Sequence, residues 1–353
     1  MFARMRIVCL SLAIGVMVLG CMKAAVPPNT VIDPPPVPAS PAPVSPTPAE
    51  AEENPLTALV SSSPNGRYSV LGVVRPKIES DGYASVLAKT RDTELGLQKY
   101  FNPWITSSDQ LINWVDGSSF IWDGRILIDL EKNARFELPV PGPPLSWTFV
   151  PSDRSVVELV LKQGGLLEIW SLPLSSEEPR TIYSKKLDTA IGEISGRIAA
   201  GPDGSVYFSV PEAKEFSVFR LSKDGSVTPI QSAASNPTLS PNGRYLAYTF
   251  LPVGGQPSTR ILDLKTSTNL SLDLPIGISS WSGDSKLIAV LGPRAITVAD
   301  VPSGMTIRSI DCEGHPLLAH FEGSRLSFAE ADMSPSRFQK VTLRQVELIT
   351  DDK

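Results

Sequence analysis

A turn-and-strand unit that returns along the chain constrains its fold more than any other feature. It reads Ser63-Pro64-Asn65-Gly66-Arg67-Tyr68-Ser69-Val70-Leu71 and recurs as Ser240-Pro241-Asn242-Gly243-Arg244-Tyr245-Leu246-Ala247-Tyr248. Pro presets φ at the first turn position and Gly accepts positive φ without a Cβ clash, so Ser-Pro-Asn-Gly is a tight turn. The aromatic and apolar run behind it fits a buried strand, and residues 261–264 fit a second. Weaker copies lie at 115–122, 151–156, 201–208, 281–290 and 322–328. The spacing averages about 43 residues, the period of a four-stranded propeller blade. An alternating apolar strand follows most of the turns, at 125–130, 167–172, 217–221, 260–264 and 296–301.

One four-stranded meander cannot bury both of its faces, so such units stack radially and leave only short edges. The fold class expected is therefore all-β, a β-propeller of six or seven four-stranded blades. Seven segments can be marked, at 56–104, 105–143, 144–189, 190–233, 234–275, 276–314 and 315–353. The first and last are the least regular, and the last has an alternative role as a donor of strands that close the ring with the first. Residues 87–99 have some amphipathic character, too little for a stable isolated helix.

The N-terminus reads as an address. Arg4 and Arg6 precede an apolar run at 7–19, about 13 residues against the roughly 20 needed to span a bilayer. Val18-Leu19-Gly20-Cys21 resembles a bacterial lipobox, which implies acylation of Cys21 and cleavage after Gly20; an ordinary signal peptide with a chance Cys is the alternative. Residues 21–55, rich in Pro and Ala, cannot bury enough apolar surface to offset chain entropy, so a tether with polyproline II character is expected. The domains are then a signal peptide at 1–20, a lipidated N-terminus and linker at 21–55, and a propeller at 56–353. With Cys9 removed and Cys21 acylated, Cys312 has no cysteine partner, which excludes an intramolecular disulfide and a Cys-based zinc site.

The Ser-Pro-Asn-Gly-Arg-Tyr element with its following strand resembles the propeller repeat of the TolB C-terminal domain, a relative of WD-repeat blades. The resemblance implies an exported propeller that serves as a docking platform. It departs from the family at Asn65 and Asn242, where Asp is common, and in the Pro-rich stretch that stands where TolB has a separate α/β domain.

Catalytic chemistry finds little support. A prolyl-oligopeptidase-like hydrolase would need a Gly-x-Ser-x-Gly elbow, and none occurs. His315 and His320 are five residues apart, so strict alternation would send them to opposite faces of a strand, away from a shared metal. No cofactor or metal is expected. A net charge of -5 argues against a nucleic-acid partner, and Lys185-Lys186 reads as part of a solvated loop. Trp170 and Trp281 fit packing between blades, whereas Trp104 and Trp114, at the irregular joint of the first two segments, are candidates for a binding surface. The function expected is that of an envelope lipoprotein, held to the membrane by lipid, whose propeller binds an envelope protein or polymer. The rival is an extracytoplasmic enzyme, lactonase-like or glycan-acting, working in the central channel.

Overall fold

The computed structural model describes residues 57–78, 84–90, 94–101, 110–142, 144–175, 177–187, 197–212, 215–270, 272, 274–334 and 337–348. Gly20, Cys21, the 21–55 linker and Trp104 lie outside the described residues. Seven antiparallel sheets succeed one another along the chain, which resolves six or seven blades to seven. Blade 1 runs through Thr57–Ser62, Ser69–Ile78, Ala84–Lys89 and Glu94–Phe101. The innermost strands of the next six blades are Ile112–Trp114, Pro144–Val150, Ile198–Ala200, Ala234–Leu239, Ile278–Trp281 and His315–Glu322. Blades 1 to 6 have four strands each. Among the described residues blade 7 has three, ending with Arg325–Ser334 and Arg337–Glu347.

The repeated turn owes its form to a serine that serves two neighbours. Ser240 Oγ donates to Asn242 Oδ1 at 2.9 Å and accepts the Tyr245 N–H at 2.9 Å, while Arg244 N–H donates to the same Oδ1. Ser63 repeats this with Asn65, Arg67 and Tyr68, and Ser282 repeats it with Asp284, Lys286 and Leu287. The side chain is used only as an acceptor, so Asn and Asp are interchangeable there. Gly243 takes the left-handed backbone that closes the turn, at φ 72°; Ser285 holds the same conformation in blade 6 at φ 64°.

Burial follows radial position. Second strands such as Ser119–Trp122 and Leu287–Leu291 are buried throughout, because a neighbouring blade covers each face, and their sequences are accordingly apolar on both sides. Outermost strands such as Ala134–Glu137 and Met305–Asp311 are largely exposed. Lys185 and Lys186, expected in a loop, sit instead on the outermost strand Arg180–Lys186. There Lys185 pairs with Glu212 at 2.8 Å and Lys186 Nζ donates to the Gly164 carbonyl.

Apolar clusters fill each joint between blades. Ile121, Trp147 and Phe149 join blades 2 and 3, Leu159 and Phe208 join 3 and 4, and Leu246 with Val218 joins 4 and 5. Each such side chain, fully buried, contributes about 1.5–3 kcal/mol. The ring closes in the same way. Leu59 and Val70 of blade 1 share a cluster with Leu317, Ala329 and Val341 of blade 7. No strand is exchanged: Arg337–Glu347 pairs with Arg325–Ser334, and Thr57–Ser62 pairs with Ser69–Ile78. The alternative of donated closing strands is thereby corrected for the described residues.

Candidate functional site

The meander topology gives the disc two unlike faces. Innermost strands begin on what we term the upper face, and the hairpins between second and third strands turn there too. The serine turns between first and second strands lie on the lower face. In these lower turns polar groups are spent on one another: besides the serine bonds, Asp203 accepts from Ser205 and Arg220, and Asp116 accepts the N–H groups of Ser118 and Ser119.

On the upper face, between blades 4 and 7, lies a cavity of about 240 Å³. Ile276, Ile278, Leu291, Pro293 and Pro316 form apolar walls, and Arg197, Asn236, Thr249, Ser279 and His315 bring polar groups to it. The strands on either side are irregular for one shared reason. In blade 5 the pairing register shifts between Ser235 and Thr238, with Asn236 left-handed at φ 52°. In blade 7 it shifts between Leu317 and His320, with Leu318 left-handed at φ 49°. Between them, the innermost strand of blade 6 pairs without a shift. A bulge adds one residue to a strand and re-aims its neighbours, and such strain collects where a surface is used. Asn tolerates the left-handed region better than most residues, while Leu318 adopts it with its side chain buried in the core.

The cavity's polar groups differ in what remains open to a ligand. Ser279 Oγ and Thr238 Oγ1 are hydrogen-bonded at 2.6 Å, and Thr259 Oγ1 donates to the Pro275 carbonyl at 2.7 Å. His315 Nδ1 lies 3.1 Å from the Pro293 carbonyl, and burial, the larger effect, pushes the His315 pKa down, so the ring is neutral at pH 7. Arg197 Nη2 donates to Gln110 Oε1 at 3.3 Å, and Gln110 also bonds Ser146. The Asn236 carboxamide makes no hydrogen bond among the described residues. Among the described residues the cavity lining contains no carboxylate.

The two histidines stay apart, although alternation does not explain it. The bulge removes the odd count between them, pairing His315 with Ala331 and His320 with Ser327, so regular opposition of faces is corrected. Each has its own partner, His315 at the cavity and His320 with Glu322 at 3.3 Å. Among the described residues no three His, Cys, Asp or Glu side chains gather as a metal site. Trp114 is half-buried: its Nε1 donates to Ser61 Oγ of blade 1 at 2.9 Å, and its ring tilts against Phe120 at 5.3 Å. Trp281 makes the matching bond to Thr238 of blade 5, at 3.4 Å. Both indoles thus bridge adjacent innermost strands, and Trp114 does not line the cavity. Cys312 is buried, and burial chiefly pushes its thiol up to about 11. Asn236, Arg197 and Ile276 meet at the cavity without any marker in the sequence beyond the broken alternation around Asn236-Pro237.

No family model matches the chain, and no curated protein matches it by sequence. Among solved structures, it is similar to the Cps50 (Swd1) β-propeller domain of Myceliophteria thermophila. That likeness has 13% identity over 83% of this chain and 98% of that one, with a TM-score of 0.53. An oligogalacturonate lyase in complex with manganese gives 14% identity over 84% of this chain and 97% of its own, also at 0.53. TolB from Acinetobacter baumannii gives 19% identity over 73% of this chain at a TM-score of 0.47, and this chain spans 64% of that protein's length. The fold is a WD-repeat-like propeller, an architecture that carries enzymes and other proteins alike. No helix among the described residues is long and apolar enough to cross a membrane.

Proposed function

We propose that the protein is an extracytoplasmic lipoprotein, anchored through Cys21, whose propeller binds an envelope protein or polymer with its upper face. The observation that carries this reading is the contrast between the faces. Leu145, Val253 and Ile276 are large, exposed apolar residues that topology puts on the upper face, Val253 at 85% and Ile276 at 46% exposure. The other four among the described residues, Phe136, Val227, Met305 and Ile307, belong to outermost strands at the rim. Apolar groups left in water, with Ile276 at the cavity itself, are the usual material of an interface centre. The lipobox and the Pro-rich linker support display at a membrane, since several acyl chains anchor firmly at about 0.8 kcal/mol per buried methylene.

Crosslinking in intact cells tests the reading. The native protein is expected to enrich one envelope component, and both Cys21→Ala and the double variant Val253→Asp/Ile276→Asp are expected to lose it. Enrichment that survives the double variant sinks the upper face as the docking surface. Turnover of a glycan or lactone by the purified protein would move the function to the channel enzyme.

A further inference from the structure

Resting on that reading and deepening it, we infer that the upper cavity binds a peptide, taking one bulky apolar side chain while the Asn236 carboxamide holds the adjoining backbone amide. Three features of the cavity converge on this ligand. Its volume, about 240 Å³, falls below the roughly 300–1,000 Å³ of sites that enclose whole small molecules, and suits a single anchor residue. Its walls are branched aliphatic and prolyl groups, with Ile276 half-exposed at the rim, so the favourable contact is with another apolar side chain.

The hydrogen-bonding groups specify the rest. A carboxamide presents one acceptor and two donors, the complement of a peptide unit's N–H and C=O. Asn236 has both sides of that pair unspent among the described residues, and the bulge sets it in the cavity lining. Ser279 and Thr259 are committed to Thr238 and the Pro275 carbonyl, and among the described residues no carboxylate lines the cavity to take sugar hydroxyls. A saccharide, which needs several such groups, therefore fits less well than an amide.

The backbone of Asn236 makes the inference testable without disturbing the fold. At φ 52° glycine is at least as comfortable as asparagine, so Asn236→Gly deletes the carboxamide and keeps the bulge. The probes are N-acetyl-leucinamide and N-acetyl-phenylalaninamide, with cellobiose as the saccharide comparison, titrated by NMR against the full chain carrying Cys21→Ala. Saturable shifts of the Gly277 and Gly292 amides with the two amino-acid amides, weakened about fivefold to tenfold in Asn236→Gly at unchanged or higher melting temperature, are expected. Equal affinity in Asn236→Gly overturns the role of the carboxamide. Saturation by cellobiose alone, or by none of the probes, overturns the peptide assignment. The crosslinking partner is read separately: a partner lost with Val253→Asp/Ile276→Asp but kept by Asn236→Gly leaves the docking face standing while this inference fails.

Discussion

Glu158 shows how much one side chain can weigh in a ring held by packing. It lies on the second strand of blade 3, fully buried, and neither carboxylate oxygen has a hydrogen-bond partner among the described residues. Burial, the largest effect, raises its pKa to about 8; Arg125 and Lys99 oppose this and Asp123 adds to it. The acid is therefore mostly protonated at neutral pH in the folded state and ionised in the unfolded one. Its folded pKa is the higher, so its contribution is complete below about pH 4.5, declines as pH rises and is gone above about 8. Glu158→Gln should abolish this slope. Thermal melts are expected to match wild type near pH 4.5 and to exceed it by about 4–8 °C at pH 8; parallel curves for the two proteins would refute the assignment. The serine turns make a second prediction at this scale. Ser240→Ala strands the Tyr245 N–H and should cost about 1–3 kcal/mol in denaturant unfolding, while Asn242→Asp, which keeps the acceptor, should cost little. The repeated Ser-x-Asn and Ser-x-Asp spacing was legible in the sequence because local bonds fix it. Trp114 was not, since its partner Ser61 is 53 positions away.

Strands were readable wherever composition follows radial position. Leu287–Leu291 and Tyr245–Phe250 are apolar because they are covered on both sides, and Arg180–Lys186 is polar because it is not. The bulges escaped sequence reasoning for a physical reason. Leu318 has no composition signal for the left-handed region; surrounding packing holds it there, at a cost of about 1–3 kcal/mol. The cavity depends on two such bulges, so it was hidden with them. The outer edge of Arg337–Glu347 has no hydrogen-bonded strand beyond it among the described residues. Its outward amides should exchange with solvent orders of magnitude faster than those of Leu287–Leu291 in native-state hydrogen exchange. Comparable protection of the two strands would mean that another segment covers that edge.

At the scale of the molecule the period carried most of the information. Segment starts placed at 144, 234 and 315 coincide with the first residues of Pro144–Val150, Ala234–Leu239 and His315–Glu322. The WD-repeat-like resemblance was likewise realised as fold. Blade number stayed open because blades 1 and 7 depart from the repeat, and closure is decided by long-range packing that no local pattern records. The same closure decides how the disc carries load. Across the seam the strand pairings among the described residues include no backbone hydrogen bond, and an apolar cluster that includes Leu59 and Val70 with Leu317, Ala329 and Val341 spans it. The protein is thus a clasp more than a welded hoop. Among the described residues, a pull that parts blade 1 from blade 7 separates apolar side chains and leaves every sheet intact.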